Sequence, residues 1–165
     1  MERGQVVLVD TNIMIEAVRT HCWNAIANHF AVETVEKCRE EARTGGPMRR
    51  NYVPMELSDL ECVRVVHVVT ESERANLALN LQTADALDAG ERDLFAHALV
   101  RNDAWIASCA DRAALKGAFA LGWKDRMVSL ESLARTAGIK PHLKDHFLER
   151  WLSKERTAFL LEQGL

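Results

Sequence analysis

Gln5-Val6-Val7-Leu8-Val9-Asp10-Thr11-Asn12-Ile13-Met14-Ile15-Glu16 is the stretch from which the rest of the chain is read. Val6 to Val9 form an uninterrupted apolar, largely β-branched run, the pattern of a short strand buried on both faces in a parallel sheet. Asp10 ends the run, and Ile13, Met14, Ala17 and Val18 then recur at helical spacing. A strand passing straight into a helix is the first half of a βα unit. An acid at that junction lies at the rim of the sheet, where open α/β folds place their chemistry. Asp is also a good N-cap and Thr11-Asn12 suit a turn, so the stretch alone allows both a helix cap and a site residue.

The remaining strands are sought with the same pattern. Trp23, Ile26 and Ala27 continue a second short helix after the polar break at Thr20-His21, and His29 to Val32 reads as the second strand. A helix is expected over Glu33 to Ala42, with Val35, Cys38 and Ala42 on one face. From Thr44 to Asp59 two glycines, two prolines and the Arg49-Arg50 pair predict one long irregular segment. Cys62 to Val69 reads as a strand, and Thr70-Glu71-Ser72-Glu73 supplies a capping box for a helix through Leu77, Leu79 and Leu81. After a linker over Thr83 to Ala89, Gly90 opens a helix with Leu94, Ala98 and Phe95 turned inward. Trp105 to Cys109 is a further buried strand, and Asp111 stands at the start of the helix through Leu115, Ala118 and Phe119. Gly122 stops that helix, Met127 to Leu130 reads as a last short strand, and Glu131 to Ala137 is a helix closed by Gly138. Repeated βα units predict a three-layer α/β/α fold around a central, mainly parallel sheet. Residues 1–138 make up this domain. Residues 139–165 are expected to add a C-terminal helix, with Pro141 near its first turn and Leu143, Phe147, Trp151 and Leu152 on one side, for packing on the domain or for dimerisation.

Composition sets outer bounds. A chain of 165 residues, 48% hydrophobic and 27% charged, suits one globular domain, and no apolar run approaches the roughly 20 residues of a membrane span. Met-Glu-Arg-Gly leads directly into the first strand without a basic region, an apolar core or a cleavage site, so a cytoplasmic protein is the expectation. Cys22, Cys38, Cys62 and Cys109 form no Cys-x-x-Cys pair and read as reduced, structural thiols. A net charge of -3 argues against a small basic nucleic-acid-coating domain. Bases nevertheless gather at Arg49-Arg50 and between Lys140 and Arg156.

Acids recur where elements meet: Asp10, the Glu33 to Glu41 segment, Asp88 with Glu91, and Asp111. Carboxylates that converge repel one another and are costly to desolvate unless a divalent cation neutralises them. All-oxygen donors point to Mg²⁺ or Mn²⁺ rather than zinc, and such ions activate water and clamp phosphate oxygens in phosphodiester hydrolysis. Arg49, Arg50, Arg92, Arg112 and Lys116 are candidates for phosphate contacts. His142 and His146, four apart on an expected helix, lack a third ligand and carry little weight as a metal site.

Val-Leu-Val-Asp-Thr-Asn-Ile-Met-Ile-Glu, the acidic helix, Leu-Asp-Ala-Gly-Glu-Arg-Asp-Leu-Phe-Ala-His-Ala and Ile-Ala-Ser-Cys-Ala-Asp-Arg together resemble a PIN domain over roughly residues 5 to 131. The resemblance implies a compact α/β nuclease that binds Mg²⁺ or Mn²⁺ through three or four acids, cuts single-stranded or structured RNA, and in many cases acts as a bacterial toxin with an antitoxin partner. It makes Asp10 the first metal acid, supported by Thr11 or Asn12, Glu91 the third and Asp111 the fourth. The second is Glu41 if Cys38 holds the apolar position three residues before it, or Glu36 if the helix starts sooner. Asp88 and Asp93 are supporting acids in this scheme. Two other readings stand beside it. A PIN-like scaffold that binds RNA or protein without catalysis needs no complete acid set. A phosphatase of the haloacid-dehalogenase kind normally needs a second Asp two residues after the first, where this chain has Asn12.

Overall fold

The computed structural model describes residues 1–44 and 55–164. In chain order these residues form β1 (Val6–Val9), α1 (Thr11–Arg19), α2 (Trp23–His29), β2 (Ala31–Val35), α3 (Glu36–Thr44), α4 (Leu57–Glu61), β3 (Val65–His67) and α5 (Glu71–Asn80). There follow α6 (Ala89–Val100), β4 (Trp105–Ser108), α7 (Arg112–Ala120), α8 (Leu130–Thr136) and α9 (Glu149–Glu162), with single 3-10 turns at Ala84–Ala86 and Asp145–Phe147. The strands make an all-parallel sheet in the order β3-β2-β1-β4. Helices flank it in three layers, as the βα alternation predicts.

β1 occupies an inner position because it is apolar on both faces. Val7, Leu8 and Val9 are completely buried, and the strand bonds β2 through Val6–Leu8 and β4 through Val6–Val9. Removing a side chain of this size from water contributes about 1.5–3 kcal/mol. α6 packs on β1 and β2 with α3 and α5 beside it, while α2 packs on β2 and α8 on α2. α9 lies against α7 and α8, and Leu143, Phe147 and Leu152 belong to the same core as the sheet. No helix among the described residues is long and apolar enough to cross a membrane.

Several boundaries differ from the sequence expectation, each for a physical reason. β2 runs on to Val35, since Val32, Thr34 and Val35 favour extended backbone, so Glu33 is a strand residue opposite Leu8 and Val65 rather than the start of α3. Of the expected irregular segment, residues 45–54 lie outside the described part, and Leu57 to Asp59 are already helical in α4. α4 ends at Cys62, which leaves only Val65–His67 for the edge strand β3. Leu77 is buried on α5 and Leu81 just beyond it, but Leu79 is 86% exposed. The last expected strand reduces to one parallel bridge between Ala107 and Met127, because Ser129 turns at once to cap α8. Gly122 and Gly138, just beyond α7 and α8, adopt φ +78° and +84°, where a side chain would be strained. Pro141 does not start a helix, since α9 begins only at Glu149. His142 and His146 therefore share no helix.

Glu33 is buried in the sheet and satisfied by chain segments far away in sequence. Its Oε2 accepts from Arg101 Nη1 at 2.6 Å and is 2.8 Å from His67 Nε2. Burial works to raise the Glu33 pKa, yet the bonds from His67 and Arg101 outweigh it and hold the carboxyl below its ordinary range. His67 stacks on His97 with ring centroids 3.9 Å apart, which ties β3 to α6. Removing one member of such a buried pair leaves an uncompensated charge. Arg101→Ala is expected to lower the unfolding free energy by about 3–5 kcal/mol in urea titrations at neutral pH. A loss below about 1 kcal/mol would mean that Glu33 is solvated in some other way.

Candidate functional site

Asp10 stands where β1 ends, 1% exposed, and its Oδ1 accepts the Ile13 amide at 2.7 Å to cap α1. Asp111 holds the equivalent place after β4, with Oδ1 accepting the amides of Ala113 and Ala114 at 2.6 and 3.1 Å. Asp88 and Glu91 cap α6 reciprocally: the Glu91 amide donates to Asp88 Oδ1 at 2.8 Å, and the Asp88 amide to Glu91 Oε2 at 3.2 Å. Capping and proximity to a common site are thus compatible, since each cap bond engages one carboxylate oxygen.

Glu91 is the electrostatic centre of the group. It is 3% exposed, and its second oxygen, Oε1, is buried without a hydrogen-bond partner. Burial pushes its pKa up to about 9, with the negative charges of Asp10, Asp88 and Asp111 adding to the shift and the Asp88 amide opposing it. Four other buried acids are treated differently. Glu16 is bonded by Arg19, Glu33 by Arg101, Asp93 by Arg74 and Glu155 by Arg112. Among the described residues no arginine bonds Glu91, and the charges that act on it most strongly are like charges.

Glu41, 30 residues from Thr11, reaches the same neighbourhood through α3. Thr11 Oγ1 donates to Glu41 Oε2 at 2.9 Å and lies 3.4 Å from the Cys38 carbonyl oxygen. α6 begins directly beneath this carboxylate: a Cβ on Gly90 would fall 2.7 Å from Glu41 Oε2 and 3.0 Å from Cys38 Sγ. Gly90 thus marks a close approach of α3 and α6, where an added Cβ would make the Glu41 carboxylate shift and the Cys38 thiol give slightly. Glu36, by contrast, is exposed at the start of α3 and lines a depression with Arg39, Glu40, Arg43 and Thr44. Of the two candidates for the second acid, only Glu41 makes this contact with α1 and α6.

The remaining expected residues divide clearly. Thr11 acts on Glu41 as just described, and Asn12 is half-buried in the first turn of α1. Asp93 is held by two bonds from Arg74, Nε to Oδ1 at 2.7 Å and Nη2 to Oδ2 at 2.8 Å, so its position is explained by the α5–α6 contact. Arg92 donates to the Leu87 carbonyl at 3.1 Å. Arg112 and Lys116 are both engaged by acids of α9. Arg49 and Arg50 lie outside the described residues.

Some contributors were not read from the sequence. Thr34 Oγ1 donates to the Val9 carbonyl at 2.7 Å, tying β2 to the end of β1, and the buried Ser108 hydroxyl has no hydrogen-bond partner. Cys109 and Cys38 sit in the field of the acids. Burial first, and then Asp10, pushes both thiols up, Cys109 also through Glu91, so both remain protonated at neutral pH. Short polar or thiol side chains at strand ends were the available signal.

Among the described residues, no three His, Cys, Asp or Glu side chains converge closely enough to hold a metal ion as they stand. Comparison of the chain with protein-family models, with characterised proteins and with solved structures found no match.

The like-charge field around Glu91 is measurable without any ligand. A carboxyl whose folded pKa of about 9 lies above its unfolded value binds more protons in the folded state, so its stability contribution falls as pH rises from about 4.5 towards 9. Glu91→Gln retains a cap acceptor and removes the charge. In metal-free buffer at pH 8 it is expected to stabilise the protein by on the order of 1–4 kcal/mol and to flatten the decline with pH. Destabilisation at pH 8 would show that burial and the neighbouring acids do not hold Glu91 above the ordinary carboxylate range.

Proposed function

We propose that this chain is a Mg²⁺- or Mn²⁺-dependent endoribonuclease of PIN type. The observation that carries the reading is the set Asp10, Asp88, Glu91 and Asp111 at adjacent element junctions, centred on a buried glutamate that has an unbonded oxygen and that no arginine among the described residues bonds. Every other buried glutamate among the described residues is neutralised from within the chain, which makes an external cation the simplest complement for this one.

The donor chemistry fits such an ion. Carboxylate oxygens are the ligands that Mg²⁺ and Mn²⁺ prefer, and Glu91 Oε1 is a buried acceptor with unused capacity. Asp10, Glu41, Glu91 and Asp111 are the residues that would hold it. When bound, a divalent ion supplies acidification of water and neutralisation of charge at a phosphodiester. The chain's own part is positioning. The caps of α1 and α7 hold Asp10 and Asp111 at their strand ends, Thr11 orients Glu41, and burial keeps Glu91 beyond the reach of bulk water.

Asp10 makes the sharpest test. Wild-type protein is expected to cleave single-stranded RNA with Mn²⁺ and to stop on chelation, and Asp10→Asn to lower the rate by at least about a hundredfold while remaining folded. Full Mn²⁺-dependent cleavage by Asp10→Asn removes the reading. The absence of a preformed ligand trio among the described residues favours a second reading, a PIN-like RNA- or protein-binding scaffold without catalysis. Calorimetry separates the two: saturable Mn²⁺ binding that is lost in Asp10→Asn supports the nuclease, and its absence in folded wild type at millimolar metal supports the scaffold.

A further inference from the structure

The two cations nearest Asp111 on α7 are both occupied by the C-terminal helix. Arg112 directly follows Asp111 and makes a two-point contact with Glu155, Nε to Oε2 at 3.0 Å and Nη2 to Oε1 at 2.7 Å. One helical turn on, Lys116 Nζ is 3.2 Å from both carboxylate oxygens of Glu162. Phe119 and Phe159 also pack, with ring centroids 5.4 Å apart, which seats α9 on α7. The pairing has a geometry of its own. Glu155 and Glu162 are seven apart, two turns on one face of α9, and Arg112 and Lys116 four apart, one turn on one face of α7.

The exposures are unequal. The Arg112 side chain is 63% exposed while its partner Glu155 is 9% exposed, and the Lys116 pair is about half exposed on both sides. The guanidinium thus keeps an open flank towards solvent next to Asp111, and the acid reaches it from below. A planar guanidinium held in this way presents the fork geometry that suits phosphate as well as carboxylate.

We propose that α9 is a built-in competitor for the substrate backbone: Glu155 and Glu162 occupy on Arg112 and Lys116 the places that phosphates of a single-stranded nucleic acid take when it binds across the acid site. The inference rests on the nuclease reading for the identity of the polyanion. It assigns to the C-terminal helix a restraint on binding in addition to its packing on α7 and α8. The Lys116–Glu162 pair, about half exposed on both sides, is weak enough to be exchanged for phosphate contacts, whereas Arg112 reaches phosphate through its exposed flank while Glu155 holds it from the buried side.

The test compares four proteins for binding of a short fluorescein-labelled oligouridylate by anisotropy, with Ca²⁺ replacing Mg²⁺ or Mn²⁺ to suppress turnover. They are the wild type, Glu155→Gln/Glu162→Gln, a charge-matched control Glu2→Gln/Glu61→Gln, and Arg112→Gln/Lys116→Gln. Glu2 and Glu61 are exposed and lie away from α7 and α9, so the control carries the same change in net charge. The α9 variant is expected to bind roughly three- to tenfold more tightly than both wild type and control. Its log-log dependence on salt should be steeper by about 0.7 for each further phosphate that the freed cations neutralise. The α7 variant should bind more weakly than wild type. Equal affinity of the α9 variant and the charge control, in proteins with matching circular dichroism, overturns the inference and leaves the nuclease reading in place. Binding by none of the four overturns both.

Discussion

β1 is hydrogen-bonded on both edges and buried on both faces, and this constraint determines the position of everything else in the fold. A strand so enclosed admits a polar side chain only where a partner satisfies it, and in β1 the first polar residue, Asp10, emerges only at its carboxyl end. β4 pairs with β1 residue for residue from Val6–Trp105 to Val9–Ser108, and its following helix therefore starts at the same level, bringing Asp111 to the same rim. α6 crosses β1 and β2 and presents Glu91 there from its first turn. Asp10 and Asp111 share a rim because a parallel sheet puts its strand-to-helix turns on one side, where caps are needed and where Asp serves well.

Against this background the treatment of buried charge in the rest of the chain is informative. Glu16, Glu33, Asp93 and Glu155 are each matched by an arginine, with Glu33 and Arg101 separated by 68 residues in sequence. The chain therefore supplies arginines to buried carboxylates across long loops. Glu91 receives instead a backbone amide and three neighbouring carboxylates. Such an arrangement costs stability in the absence of a cation, and costs of this kind concentrate at functional positions.

What could be read directly from the sequence was local. The apolar run before Asp10, the Thr70–Glu73 capping box and the buried strand ahead of Asp111 are patterns of a few residues, and they appear where expected. What could not be read depended on distant partners. Glu33 to Val35 joined the strand because β1 and β3 lie on either side of it, and Glu33 is satisfied there by Arg101 and His67. The Met127 segment stayed a single bridge because the next residues were committed to a helix cap. Arg112 and Lys116 allowed both phosphate contacts and ordinary salt bridges, and nothing near them in sequence identifies as partners the acids 43 and 46 residues later that bond them.

Glu36 and Glu41 show how packing separates two glutamates that the sequence leaves equivalent. Once Glu33 belongs to β2, α3 starts at Glu36, and that glutamate is left exposed in the first turn. Glu41 lies five residues, about one and a half turns, further along. There the helix passes close enough to α6 that a Cβ at position 90 would displace the Glu41 carboxylate, and Thr11 supplies a hydroxyl to that carboxylate. Glu41 is thus placed by contacts with α1 and α6 that Glu36 lacks, and the α6 side of that contact, Gly90, is one step in sequence from the buried acid on which the proposed chemistry turns.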